Sequence, residues 1–437
     1  MKKRNMILNF RRCLFAMWLA VSLSTAAQRS YTLEECRQLA IENNLTLKNS
    51  AIDGDIAAQT SKEALTKYFP TVSASGTIMR ANDYLVKMNM DLSALGVPAA
   101  LPFNMIDRGK IASVMAIQPV FAGGRIVNSN KLARVGRDVA NLRYAISEND
   151  VKLSVDKYFW QTVSLKEKMK TIDALTAQLN EIHKNVKNSV EAGVAMPNDL
   201  LKVELKQQEV ESSRLKVENG LRLSKLMLCQ KAGIEDAGFD ISCDTFPEPA
   251  PPMKYFVDPS QGVERRTENR LLDAGVRAAQ LQHKIAVGKN MPSIGVGAAY
   301  YYHDLLDKDM NGGIVFANVS IPISDWWGGS HAAKREKLKI RQAENSREDS
   351  QKLLRVDIES KWSNLQEAYS QILLAKRSIT SSVENLRLNK DYYEAGTIAL
   401  SELLDAQTAL QQSRDRYTDA CANYCVVLSE YLQSVGE

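Results

Sequence analysis

The stretch EAGTIALSELLDAQT at residues 394–408 has a counterpart, EAGVAMPNDLLKVEL, at residues 191–205. A second pair of marks stands upstream of these, IQPVFAGG at 117–124 and SIPISDWWGG at 320–329. Gly193 and Gly396 lie 203 residues apart, and so do Pro119 and Pro322. That period far exceeds the 20–50 residues of solenoid repeats, so the chain is a duplicated half-molecule rather than an array. Between its two marks each half is one proline-free stretch. At ~1.5 Å rise per residue, a helix from about Gly124 to Gly193 would be ~100 Å long, and no soluble domain of this size buries such a rod inside itself.

Upstream of each proline-free stretch the pattern changes to alternation. Thr71–Arg80 places Val72, Ala74, Gly76 and Ile78 on one face and Thr71, Ser73, Ser75 and Thr77 on the other. Ile111–Val120, Ser293–His303 and Ile314–Ile323 read in the same way, with Pro119 expected to close the second strand. Each run is about ten residues, the length that tilts across a bilayer in an outer-membrane barrel. Pro70, Pro119, Pro292 and Pro322 mark the expected strand–helix joins, with Phe69, Phe121, Trp326 and Trp327 close by as candidate membrane-interface aromatics.

The helical stretches carry seams spaced by alternating threes and fours. Leu132, Val135, Val139, Leu142, Ile146, Asn149, Leu153, Asp156, Trp160 and Val163 form one. Leu403, Ala406, Leu410, Ser413, Tyr417, Ala420, Tyr424, Val427 and Tyr431 form the other. Both predict coiled-coil packing. Beside the second runs a mostly polar stripe, Glu402, Asp405, Ala409, Gln412, Arg416, Asp419 and Asn423, free to see water. Thr32, followed by Glu34 and Glu35, opens an earlier helical region that continues to Tyr68, with a break expected at Asn43-Asn44.

Residues 1–27 hold five basic residues, then the apolar run Cys13–Leu23, then Ala26-Ala27, the order of a secretory signal with a mature chain starting at Gln28. The formal charge of +5 belongs to that segment, since the rest balances, and a nucleic-acid partner loses its electrostatic support. No later segment has ~18 uninterrupted apolar residues for a helical span. The four histidines are scattered and the cysteines form no metal-like cluster, so no cofactor, metal or catalytic site is expected. Export makes a disulfide possible, Cys229–Cys243 being the first pair to test. The domain reading is a signal peptide at 1–27, a first structural repeat at 28–243, a proline-rich linker at 244–259 and a second repeat at 260–437.

Four amphipathic strands cannot close a membrane barrel alone, because the smallest closed barrels need about eight and an open edge in lipid leaves backbone groups unsatisfied. The chain must oligomerise. The duplicated order of helix, hairpin, helix and helix, the Pro-aromatic-Gly-Gly joins, and the E-A-G tips leading to NDLLKVELKQQ and SELLDAQTALQ together resemble the TolC-like outer-membrane efflux proteins. That resemblance implies a mainly α chain with a membrane β-barrel. In it, a homotrimer forms a twelve-strand barrel, four strands per chain, continuous with a long periplasmic α-helical barrel of coiled-coil helices. It also implies an exit duct for small molecules or proteins, working with a periplasmic adaptor and an inner-membrane transporter, embedded in outer-membrane lipid and extending into the periplasm.

By the same resemblance, the closed tip of the tube is the gate. Its latch residues map to Tyr393 and Asp199, the tip glycines to Gly193 and Gly396, and the acids of the pore constriction to Glu402 and Asp405, while Ile398 stands where the family has an arginine. A periplasmic coiled-coil adaptor or scaffold without a pore is the competing reading, and it predicts hairpins that do not alternate. An exported hydrolase would need a nucleophile–base or metal constellation.

Overall fold

The computed structural model describes residues 30–91, 100–235, 238–243, 245–305, 309–323 and 325–437. The signal segment expected at 1–27 and the start at Gln28 lie outside them.

A short strand β1, Ser30–Tyr31, precedes α1, Leu33–Asn43, and α2, Leu45–Thr66. Thr32 and Glu35 form a capping box at the start of α1: the Glu35 amide donates to Thr32 Oγ1 (3.2 Å) and the Thr32 amide to Glu35 Oε2 (2.7 Å). The helix breaks at Asn44 because that side chain serves two helix ends at once. Its Oδ1 accepts from the Thr46 and Leu47 amides at the start of α2, and its Nδ2 donates to the Lys231 carbonyl.

Four antiparallel strands follow the predicted pattern: β2, Thr71–Arg80; β5, Arg108–Ala122; β7, Ser293–Asp304; and β8, Asp309–Ser320, in the order β2-β5-β7-β8. Two further strands, β3 (Val86–Asp91) and β4 (Ala100–Met105), pair as a separate hairpin that the sequence reading did not anticipate. The register sets Val72 opposite Ala116, Ala116 opposite Ala298 and Ala298 opposite Val315, and likewise aligns Ala74, Val114 and Tyr300. These aligned apolar residues therefore share one face, while Ile111, Met115 and Ile117 of β5 and Ile314 and Phe316 of β8 lie on the other. On the first face Val72, Val114, Val296, Tyr300, Val315 and Val319 are exposed.

Pro119 does not close its strand, contrary to the sequence expectation. β5 runs on to Ala122 through a register shift between Pro119 and Phe121. The proline is tolerated because β2 begins at Thr71, opposite Ile117, so beyond Gln118 no strand on that side asks for an amide donor. The side chain of Gln118 fills the gap, donating to the Tyr68 carbonyl at 2.9 Å.

The long helices are α3, Arg125–Glu191 (67 residues), and α7, Asp325–Glu394 (70 residues), each followed by a shorter partner, α4, Pro197–Ala232, and α8, Leu400–Ser434. A two-residue strand β6, Asp240–Ile241, pairs with β1. Two more helices, α5 (Pro259–Arg265) and α6 (Thr267–Lys289), lead to β7. Two spatial units result, and neither follows a sequence half. One takes residues 30–50, 144–267 and 352–437; the other takes 51–143 and 268–351.

The first unit holds both apolar clusters. The larger gathers Cys36, Val155, Phe159, Trp160, Leu228, Ile358, Leu365, Cys425 and Tyr431. The region between the repeats is bound to it rather than loose: Phe246 stacks on Trp160, Phe256 meets Trp362, and the Tyr424 hydroxyl donates to the Ala250 carbonyl at 2.6 Å. Among the described residues every cysteine is a thiol, so the Cys229–Cys243 disulfide is absent; Cys243 Sγ donates instead to the Thr245 carbonyl. Burial pushes the Cys36 and Cys425 thiols up to about 12, which leaves them inert packing groups.

Candidate functional site: the helical tips and the four-stranded sheet

The two E-A-G turns have the same geometry, dictated by the helix ends they must satisfy. Gly193 (φ 74°) and Gly396 (φ 69°) are left-handed, where an L side chain is strained. The Val194 amide donates to the Ser189 carbonyl and the Gly193 amide to that of Val190; Thr397 to Tyr392 and Gly396 to Tyr393 repeat the pattern. These are paired Schellman motifs. The next helices begin with Pro197 and Leu400, and each has an acid in its first turn, Asp199 and Glu402, where the amides favour negative charge. Nothing lies within 4 Å of a Cβ built at Gly396, so an added methyl meets only conformational strain. Gly396→Ala is therefore expected to weaken this helix end by about 1 kcal/mol, and hydrogen exchange at the Thr397 amide should quicken about fivefold.

Tyr393 packs on the second apolar cluster, which includes Leu179, Val186, Val203, Leu400 and Leu403. Burial raises its hydroxyl pKa, and the charge of Asp199 adds to the effect. The fold thus brings the two expected latch residues into one electrostatic neighbourhood without a hydrogen bond between them. Asp199 is held by Lys202 Nζ at 3.1 Å, one turn along its own helix. Sequence reasoning missed Lys202, although the i, i+3 acid–base spacing of DLLK was its signal. Ile398, in the place of the family arginine, is half-buried.

Glu402 and Asp405 are exposed, while Leu403, Leu404, Ala406, Gln407 and Leu410 between and beyond them are buried. One face of α8 packs and the other faces solvent, as the stripe predicts. Further along, the stripe is not wholly free, since Asp419 takes Lys168 Nζ at 2.7 Å and Ser164 Oγ at 3.2 Å. In the sheet-bearing unit Phe69, Phe121 and Trp327 are 60%, 45% and 78% exposed at strand–helix joins; the side chain of Trp326 lies outside what is described. Among the described residues no helix is long and apolar enough to cross a membrane, and no group of histidine, cysteine and carboxylate side chains could hold a metal.

Comparisons with known proteins bear on this geometry. Residues 264–426 match the family model described as "Outer membrane efflux protein". No curated protein matches the chain. The fold is that of the Campylobacter jejuni CmeC outer membrane channel, with a TM-score of 0.76 at 13% identity, covering 92% of this chain and 85% of that one. It is likewise that of the outer membrane protein VceC of Vibrio cholerae, at 0.75 and 13%, covering 92% and 96%. The open state of the Neisseria gonorrhoeae MtrE outer membrane channel gives 0.72 and 15%, covering 92% and 88%. The match to the outer membrane efflux protein model thus lies in the second half of the chain, and over nearly its whole length the chain has the fold of these outer-membrane channels.

Proposed function

We propose that this protein is the exit duct of a tripartite export system. Three copies close a twelve-strand barrel, and an inner-membrane transporter with a periplasmic adaptor delivers small molecules or proteins to the helical tube. The observation that carries this reading is the four-stranded sheet: aligned apolar residues of all four strands are exposed on one face, and among the described residues β2 and β8 each pair on one side only. Such edges are untenable in lipid unless neighbouring copies cover them. The alternating strands count against the adaptor alternative, which has no use for them. Gating and conduction need no bound group, and we assign none, nor any nucleic-acid partner. We read the chain as the two repeats 28–243 and 260–437 joined by 244–259, behind a leader at 1–27.

The test is mass measurement of the detergent-purified protein together with single-channel recording in planar bilayers. Three copies and discrete conductance steps are expected. A monomer that stays membrane-inserted would defeat the closure argument.

Within this duct we assign the latch to Tyr393 and Asp199, the tip turns to Gly193 and Gly396, the constriction to Glu402 and Asp405, and the interface belt to Phe69, Phe121, Trp326 and Trp327. Tyr393→Phe removes the hydroxyl and leaves the ring packing in place. If the hydroxyl makes one ordinary hydrogen bond in the closed trimer, its loss loosens the tip by about 1 kcal/mol per subunit, read as higher conductance or antibiotic leakage. Unchanged conductance would make Tyr393 a packing residue only.

A further inference from the structure

Beside Tyr393 the helical unit holds a cavity of about 250 Å³ between α3, α7 and α8. Its apolar wall is made by Ile182 and Val186 from α3, Leu386 from α7 and Leu403 from α8, with Val186 and Leu403 almost wholly buried. Gln407 also lines it. That side chain is 6% exposed, and its Oε1 is buried with no hydrogen-bond partner. A buried acceptor left without a donor is costly, and native structures rarely keep one without a reason. The mouth is acidic: Glu181 and Glu394 stand there against one cation, Lys390, whose Nζ lies 3.9 Å from Glu394 Oε1.

We propose that this cavity is a binding site for a small organic amine. The ligand's ammonium or amine N–H answers Gln407 Oε1, its compact apolar body lies against Ile182, Val186, Leu386 and Leu403, and the two carboxylates favour its positive charge. A donor is required, so a quaternary ammonium does not serve, and the volume admits only a ligand at the small end of known pockets. Tyr393 also lines the cavity, and an aromatic ring is a suitable neighbour for a cation. Because the wall joins three helices, an occupant holds α7 against α3 and α8 and so favours the closed tip. Binding stands on the cavity alone, whereas this effect rests on the assignment of Tyr393 to the latch.

Calorimetric titration of the detergent-purified full-length protein with phenethylamine tests the site, with 2-phenylethanol as its neutral isostere. Saturable binding at one site per chain is expected, with the alcohol about tenfold weaker, the weight of one charge-assisted hydrogen bond. Gln407→Leu keeps the side-chain volume while removing the acceptor, and Glu394→Gln sits at an exposed position where folding is not at stake. Gln407→Leu should weaken phenethylamine about tenfold and Glu394→Gln about threefold, while the trimer melts as wild type. No saturable binding, equal binding of amine and alcohol, or wild-type affinity in Gln407→Leu would each overturn the proposal and leave a water-filled cavity. In bilayers, phenethylamine should lower the open probability. Binding without that change would retain the site and overturn its link to the gate.

Discussion

Asp156→Ala is expected to destabilise the fold by about 3–5 kcal/mol, the cost of breaking a buried ion pair by removing one partner. The Asp156 side chain is only 2% exposed, and both its oxygens are held by Arg37, Nε to Oδ1 at 2.7 Å and Nη2 to Oδ2 at 2.6 Å. This fork ties α1 to α3 across 119 residues of sequence. Without the carboxylate, the guanidinium keeps only Glu34, an exposed partner at 3.2 Å whose attraction water screens. The loss comes from the orphaned charge rather than from the pair's net worth, so Arg37→Leu combined with Asp156→Leu should recover most of it. Thermal unfolding of the solubilised protein, followed by helical circular dichroism through the full double-mutant cycle, decides the matter. If Asp156→Ala melts with the wild type, the pair is ornamental.

Asp156 also shows how far the sequence could be read. In the seam that alternates threes and fours it is one of two polar residues among apolar ones, which marks it as an exception without saying what answers it. Its partner lies in another helix, and no local pattern points there. The other exception, Asn149, proves exposed. A straight helix drifts off a 3.5-residue repeat, so one seam cannot stay buried along 67 residues. In the second seam the polar exception, Ser413, is buried and hydrogen-bonded to Ser382 Oγ at 2.8 Å.

What was legible is what neighbouring residues decide. The ends of α3 and α7 were foreseen because a left-handed glycine is a local signal, and the strands of the sheet because alternation is. The hairpin of β3 and β4 escaped because its strands are six residues each and one contains Pro102. Pro119 was misread because its tolerance depends on where β2 starts, a fact of pairing rather than of the strand itself. At the tip, the acids and the tyrosine are assigned through the family resemblance, counted from the glycines, and their roles stand as proposals. The pairing of Asp199 with Lys202 was open to reading from their i, i+3 spacing, whereas that Gln407 Oε1 is left without a partner is a matter of packing, visible only once the helices are set side by side.

The double change Glu402→Gln and Asp405→Asn is expected to alter what the pore passes while leaving the fold intact. Both side chains are exposed on α8 three residues apart, on a stripe beside Leu403, Ala406 and Leu410, whose burial supplies the packing. If three copies surround one bore with these faces inward, six carboxylates focus a negative potential at one level, attracting cations and repelling anions. Removing all six charges should weaken cation preference and abolish block by multivalent cations. The melting temperature should hardly move, since no apolar contact is lost and surface charges of this kind contribute little to stability. The contrast with Asp156→Ala is one of burial: that carboxylate is buried and answers to an arginine, whereas the other two are exposed and make no side-chain hydrogen bond or ion pair among the described residues. Reversal potentials across asymmetric salt in planar bilayers give the answer. Wild-type selectivity in the double variant would place the acids on the outer face of the tube and the constriction elsewhere along α8.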